Sequence, residues 1–336
     1  MKKDVKIQNM RAFAILLVVI GHSIIMYTGW GLMDTSRVIP NIRYLRKFIN
    51  ILEMPLFMSI SGYVFYYSMS KNTQFPSFIW NKVKRLLLPY IIVGAFWMAP
   101  IRMLMGIKGW KKSYFQNIWT NLILQRNNGH LWYLIALFLV FAVLWWIVYG
   151  LKKLGNPGIV EMIVLVFLFW ISFSQKDGEW IQSENSIERM FLYLFWFFLG
   201  YLFNKHSETL FELNKIQKIV AGVISFGVFV VTFYLGIQKG GTLLYYAAAF
   251  FGVVSLYICT PDKTNKYMLT IDRNSYGIYL FHSPMTYITF TFWGERNPYF
   301  VVLVNVFGLG AIAMLLTIVL RKTPLAFIIG EKYKKV

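Results

Sequence analysis

The first predicted helix carries two side chains whose types and spacing could do charge and proton-transfer chemistry. Arg11 and His22 lie eleven residues apart in an otherwise apolar stretch. At 100° per residue this is about three turns, so both side chains lie on one helix face, roughly 16 Å apart along the axis. The helix would hold a fixed cation near one membrane surface and an imidazole near mid-membrane, where an ionisable group is costly and therefore a functional candidate. A snorkelling arginine and a hydrogen-bonded histidine are the structural alternative.

A carboxylate in the second predicted helix could assist this imidazole. Glu53 begins the stretch that runs to Tyr63, and it lies in the outer half of the helix at a depth that could meet His22. There it could orient the imidazole and stabilise its protonated form. Ser61 and Gly62 further along are typical of close helix packing, because small residues let helix backbones approach.

A cluster of cations stands at the start of the third predicted helix. Lys82, Lys84 and Arg85 precede an apolar run that contains Pro89 and Tyr90. Three cations within four residues could clamp phosphate groups, together with Arg11 on the same side of the membrane. They could equally set the orientation of the chain or contact anionic lipid.

Two further stretches place polar side chains among apolar ones. His130 and Trp132 at the outer end of the fourth predicted helix are candidate contacts for an external polar substrate, although an aromatic belt alone explains Trp132. Ser275, Tyr279 and His282 fall at i, i+4 and i+7, which predicts one polar stripe on the ninth helix. A packed, hydrogen-bonded stripe is the alternative. Three of the four histidines therefore lie in or beside apolar runs, and His206 alone lies in a polar loop.

The composition decides the environment of these groups. The chain has 336 residues, of which 57% are hydrophobic and only 14% are charged. A soluble globule of this size needs more charge to cover its surface, so the ratio excludes an ordinary soluble enzyme, and the same counts exclude disorder. The formal net charge of +20 would suit nucleic acid, but the hydropathy outranks that interpretation and predicts no nucleic-acid partner. The single cysteine, Cys259, excludes an intramolecular disulfide and a cysteine-based metal site.

The sequence predicts an all-α integral membrane protein with about ten transmembrane helices. Lys and Arg are more frequent in the connections on the side of the N-terminus, which places both termini in the cytoplasm. No connection is long enough for a separate soluble module, so residues 1–336 are expected to form one multi-pass membrane domain. The predicted spans are 10–29, 48–68, 86–105, 130–150, 158–173, 187–204, 216–236, 241–259, 275–294 and 299–320.

The chain resembles the membrane acyltransferase-3 family. That family is marked by an arginine, ten residues and a histidine in the first helix, which Arg11 and His22 match. Its other recurring stretches appear here in order and cover essentially the whole chain. They are Met-Pro-Leu-Phe…Ser-Gly (54–62), a basic run ending in Leu-Pro-Tyr (82–90), His-Leu-Trp-Tyr-Leu (130–134) and Ser-Tyr-Gly-Ile-Tyr-Leu-x-His-x-Pro (275–284).

The resemblance implies a plasma-membrane O-acyltransferase without a fused soluble domain. Such a protein moves an acyl group, usually acetyl, from cytosolic acyl-CoA to a hydroxyl of an extracytoplasmic carbohydrate, commonly a cell-surface polysaccharide or its lipid-linked unit. Acetyl-CoA would be a donor substrate, and no permanently bound cofactor or metal is expected. The partners are then acyl-CoA, the carbohydrate acceptor and the bilayer, with a homo-oligomer left open.

The hypothesis is direct transfer, in which His22 is the general base on the acceptor hydroxyl and Glu53 or a backbone group steadies its imidazolium. Arg11 and the basic cluster would bind the phosphates of coenzyme A. An acyl-histidine intermediate is the mechanistic alternative. A transporter or exporter of a polysaccharide or lipid-linked sugar is the alternative function, because ten helices with polar groups in the membrane would serve it equally well.

Overall fold

The computed structural model describes residues 4–31, 33, 37–71, 74–155, 157–175, 185–211 and 213–333. Within these ranges all regular secondary structure is helical, as the sequence predicts. Eight of the described helices are long and apolar enough to cross a membrane, which confirms a multi-pass membrane protein. Asp177, Glu179 and Glu184, to which the sequence assigns no role, lie outside the described residues.

Each of the ten predicted spans overlaps one long helix of the described chain. Helix α5 is only 17 residues long, and α9 is long but less apolar, so these two fall outside the set of eight. Ten spans and two cytoplasmic termini stay predictions. In chain order the helices are α1 (Val5–Thr28), α2 (Pro40–Met69), α3 (Phe75–Leu104), α4 (Gly129–Lys153), α5 (Gly158–Ser174), α6 (Ser186–Lys205), α7 (Lys215–Lys239), α8 (Thr242–Cys259), α9 (Lys266–Trp293) and α10 (Pro298–Arg321).

Prolines interrupt the hydrogen bonding of α3 and free backbone carbonyls there. The helix widens into π turns at Val83–Leu87 and Gly94–Met98, each followed closely by a proline. Because Pro89 has no N–H, it cannot bond to the carbonyl of Arg85 four residues earlier. The hydroxyl of Tyr276 on α9 donates to that carbonyl instead, at 2.5 Å.

The chain folds into two compact units, each built from three separate stretches. Unit 1 contains Met1–Arg11, Ile51–Ile79 and Ala136–Thr264, and unit 2 contains Ala12–Asn50, Trp80–Ile135 and Asn265–Val336. The single membrane domain expected over 1–336 stays a prediction.

Small residues bring α2 and α6 together in unit 1. A methyl group added to Gly62 would overlap the Phe197 carbonyl, and one added to Gly200 would overlap the Ser59 carbonyl. The close packing expected at Gly62 is therefore present. Unit 1 also holds a buried carboxylate, because Glu161 accepts from Lys205 and lies 3.0 Å from His206 Nε2. His206 lies in a turn that follows α6, as the sequence predicts, and it also pairs with this carboxylate.

In unit 2 the last two long helices, α9 and α10, pack closely against each other. Gly277 on α9 packs so closely on Thr317 of α10 that an added methyl group would overlap the threonine side chain. At the end of α10, Arg321 donates to Glu331 at 2.7 Å and to Asn274 on α9 at 2.6 Å. These contacts fix α9, which carries the polar stripe predicted from the sequence.

Candidate active site

Three histidines from three helices of unit 2 form one cluster. The ring centroids of His22 and His282 are 5.0 Å apart, those of His130 and His282 are 5.9 Å apart, and those of His22 and His130 are 6.1 Å apart. His282 is 1% and His130 is 5% exposed, whereas His22 is less deeply buried. The sequence singled out all three residues, and the structure brings them together.

The hydrogen bonds of His282 fix the proton positions of neutral rings in this cluster. Its Nδ1 lies 2.7 Å from the Ile278 carbonyl, which can only accept, so Nδ1 carries the proton. The Nε2 of His282 is then an acceptor, and it lies 2.8 Å from His22 Nδ1, which must donate. His22 is left with a lone pair on Nε2. That is the atom a general base needs, and it has no hydrogen-bond partner among the described residues.

A proline in α9 positions the third histidine. Pro284 cannot donate to the carbonyl of Leu280, so this carbonyl is left free inside the helix. His130 Nε2 lies 3.1 Å from it and donates to it. The hydroxyl of Tyr279 donates to the His130 carbonyl at 2.5 Å, and the two rings meet edge to face at 5.4 Å. His130 is thus held by α9 through both its ring and its backbone.

A buried arginine that the sequence reading did not select lies beside this cluster. Arg102, in the last turn of α3, is 1% exposed. Its Nη1 donates to Asn127 at 3.0 Å and its Nη2 donates to the Tyr287 hydroxyl at 3.2 Å. A methyl group added to Gly129, the residue before His130, would overlap the guanidinium. Arg102 therefore lies against the start of α4 and against α9.

The basic cluster lies elsewhere in unit 2, near the start of α3. Arg85 precedes Arg102 by seventeen residues, or roughly 26 Å along a helix. The side chains of Lys84 and Arg85 are exposed, Lys82 is half-buried, and Lys84 lies over the ring of Trp80 at 5.2 Å. Tyr276, which bonds to the Arg85 carbonyl, stacks on Tyr279 at 6.4 Å. These two tyrosines connect the cationic end of unit 2 with His130.

The remaining predicted residues have different placements. Ser275 donates only to the Asp272 carbonyl of its own helix, so it does not join the histidines through that bond. Trp132 meets Tyr133 edge to face at 6.0 Å. Arg11 and the buried Glu53 belong to unit 1, and their roles in catalysis stay predictions. His22 lies in the last turn of the regular α-helix Val5–Ile24, and its expected position near mid-membrane stays a prediction.

A family model described as an acyltransferase domain matches residues 4–322 of the 336-residue chain. The chain belongs to the acyltransferase-3 family. Similar curated proteins are the probable poly-beta-1,6-N-acetyl-D-glucosamine export proteins of Staphylococcus aureus strains MSSA476, MRSA252 and Mu50. Each is 24% identical over 260 residues, which cover 71% of this chain and 70% of the relative. No solved structure matches this chain significantly.

For an acyltransferase, the described cluster offers a base and a nearby cation. His22 presents an unprotonated Nε2, His282 Nε2 accepts the hydrogen bond from the opposite nitrogen, Nδ1, and so can stabilise a protonated His22, and Arg102 supplies positive charge. No group of three His, Cys, Asp or Glu side chains among the described residues has the arrangement of a metal site. In the neutral cluster His282 has no ring nitrogen left to bind a metal ion, because both nitrogens already form hydrogen bonds.

The sequence contains one feature that could have identified Arg102 as a functional residue. It lies near the end of the predicted span 86–105. A charge that ends up buried in a membrane helix is a candidate functional group by the same cost argument that selected His22. Its partners Asn127 and Tyr287 are 25 and 185 residues away along the chain, so no local pattern reveals them.

Proposed function

We propose that this protein transfers an acyl group, most simply acetyl, from cytosolic acyl-CoA to a hydroxyl of an extracytoplasmic carbohydrate. The acceptor is a cell-surface polysaccharide or its lipid-linked unit, and the protein works in the plasma membrane. Membership of the acyltransferase-3 family supports the reaction class. The observation that carries the proposal is the bond from His22 Nδ1 to His282 Nε2, because it leaves the Nε2 of His22 as a base.

In the proposed mechanism His22 Nε2 takes the proton from the acceptor hydroxyl while the hydroxyl oxygen attacks the thioester carbonyl. The C–O bond forms, the carbonyl electron pair moves onto oxygen, and the C–S bond then breaks to release the coenzyme A thiolate, which takes the proton. His282 stabilises the imidazolium of His22 through its Nε2. Glu53 is a second candidate for that role on the strength of its place in the sequence.

The donor is proposed to bind at the cationic end of α3. Lys82, Lys84 and Arg85 would contact the phosphates of coenzyme A, with Arg11 as a further cation. The tyrosine pair Tyr276 and Tyr279 leads from Arg85 to His130 and supports a thioester arm that follows α9. His130, Trp132, Ser275 and Tyr279 are proposed contacts for the substrates, of which His130 and Tyr279 adjoin the cluster.

Labelled acetyl-CoA tests the reaction on the purified protein in proteoliposomes. We expect transfer of label to polysaccharide taken from a strain that lacks the gene, and loss of transfer in a folded His22→Ala variant. Full transfer by that variant would contradict the mechanism. Without acceptor, label that stays on the chain would favour an acyl-histidine intermediate, whereas direct transfer leaves the chain unlabelled.

Export of a polysaccharide or lipid-linked sugar is the second candidate function. It is favoured by one observation, that the similar S. aureus proteins are described as probable export proteins for poly-beta-1,6-N-acetyl-D-glucosamine. A deletion strain separates the two functions. The acyltransferase predicts normal amounts of surface polymer with fewer acetyl esters per sugar, and the exporter predicts loss of polymer with unchanged ester content per sugar.

A further inference from the structure

Arg102 is a buried cation without a carboxylate partner. Its side chain is 1% exposed in a helix long and apolar enough to span the membrane. Among the described residues no Asp or Glu lies within ion-pair distance of it, and it donates hydrogen bonds to the neutral Asn127 and Tyr287. A buried charge of this kind is costly unless an anion compensates it at some stage of the protein's work.

The surroundings of Arg102 hold its guanidinium rigidly and leave donors unused. The rings of Tyr287 and Trp110 lie 5.0 Å and 5.5 Å from the guanidinium carbon. Asn127 is fixed in turn, since its amide nitrogen donates to the Lys108 carbonyl at 3.3 Å. Arg102 Nε and Trp110 Nε1 are buried N–H donors with no hydrogen-bond partner among the described residues. Two unused donors on touching side chains point to a ligand oxygen.

Arg102 is also close to the proposed base. Gly129 takes a positive φ of 56° and packs directly on the guanidinium, one residue before His130. The ring of His130 in turn lies 6.1 Å from the ring of His22, measured between centroids. A fixed positive charge thus packs against the residue that precedes one histidine of the cluster.

We propose that Arg102 is a catalytic residue that stabilises the negative oxygen formed on the acyl carbonyl during transfer. This inference rests on the proposed function. When the acceptor oxygen bonds to the thioester carbon, the carbonyl π electrons move onto oxygen and the proton moves to His22 Nε2. Arg102 donates from its guanidinium to that oxygen until the C–S bond breaks and the carbonyl reforms. Preorganised donors aimed at such an oxygen are among the strongest contributions to acyl transfer, and a buried, pre-oriented guanidinium needs no reorganisation.

Two variants of Arg102 test this role against an exposed control. Arg102→Gln removes the charge, Arg102→Lys keeps the charge without the planar fork, and Arg126→Gln removes an exposed arginine from the connection between α3 and α4. We expect kcat to fall by about 10²- to 10³-fold in Arg102→Gln, with the KM values for acetyl-CoA and acceptor within about threefold of the wild type. Arg102→Lys should lose less, and Arg126→Gln should transfer normally.

The outcomes are distinct from failure of the proposed function. If the wild type transfers no acetyl group, the proposed function itself fails. If it transfers and Arg102→Gln keeps its kcat, or if only the acceptor KM rises, Arg102 does not stabilise the oxyanion. Thermal unfolding and size-exclusion profiles in detergent establish that the variant is folded. If Arg102→Gln does not fold, Arg102→Lys decides, since a kcat equal to that of the wild type would overturn the proposal.

Discussion

His282 offers a sharp test of the proton arrangement, because its two ring nitrogens have separate partners. Nδ1 donates to the Ile278 carbonyl and Nε2 accepts from His22. Asparagine places a polar atom near the position of Nδ1, and glutamine places one near Nε2. His282→Asn therefore keeps the bond within α9 and loses the bond to His22. His282→Gln can do the reverse through its amide oxygen.

The magnitude follows from the charge on His22 in the transition state. When His22 gains a proton, its Nδ1–H becomes a donor with positive charge, and a hydrogen bond to a charged group contributes about 1.5 to 3 kcal/mol. At 1.36 kcal/mol per tenfold change, loss of this bond slows kcat by about 10- to 150-fold. We expect that loss in His282→Asn, and a loss of less than about tenfold in His282→Gln.

The assay is transfer of labelled acetyl from acetyl-CoA in proteoliposomes, with kcat and both KM values measured for each variant. The KM values should change little, since the bond strengthens only when His22 is protonated. Equal losses in the two variants would refute the reasoning. So would a rise in acceptor KM at constant kcat, because His282 would then bind the acceptor rather than support His22.

Three further outcomes follow from the geometry. The double variant Lys84→Gln/Arg85→Gln should raise the KM for acetyl-CoA by about 5- to 30-fold, because two exposed charges contribute about 1 to 2 kcal/mol to binding. The effect should be largest at low salt. Lys239→Gln is the control, and an unchanged KM in the double variant would contradict the donor site. Pro284→Ala restores an N–H that competes with His130 for the Leu280 carbonyl, so kcat should fall by about fivefold for about 1 kcal/mol, whereas Pro100→Ala should not alter it. Gly200→Ala should lower the free energy of unfolding by about 1 to 3 kcal/mol, measured by thermal unfolding. Gly227→Ala is the control, because its added methyl group has no atom within 4 Å. Equal stability of the two variants would contradict the close packing at Gly200.

The sequence predicts the helical elements well because apolar runs of spanning length have few other uses. All ten predicted segments are helical, including the two that fall outside the set of eight long apolar helices, α5 and α9. Helix boundaries are less accurate. Val5 to Asn9 extend α1 beyond the apolar run, because polar residues can continue a helix at its end.

The cluster of three histidines is predictable in part. Their isolation in apolar runs selected His22, His130 and His282 one at a time, but nothing in the chain shows that they meet. The bond between His22 and His282 joins residues 260 positions apart. The Ser275–Tyr279–His282 stripe was right as a face of α9. Its residues make different contacts. Ser275 forms a hydrogen bond within α9, whereas Tyr279 and His282 form hydrogen bonds with other helices.

The prolines of unit 2 have a consequence for biosynthesis. Leu280 and Arg85 each present a carbonyl whose usual donor, four residues later, is replaced by a proline, and an unpaired carbonyl in hydrocarbon costs several kcal/mol. The donor for Leu280 is His130 and the donor for Arg85 is Tyr276. Helix α9 is synthesised after α3 and α4. The hydrogen bond from Tyr276 to the Arg85 carbonyl and the one from His130 to the Leu280 carbonyl can therefore form only once α9 is present. The arrival of α9 in the membrane therefore completes the candidate site and satisfies the backbone in the same step, and a chain that ends before α9 would have neither.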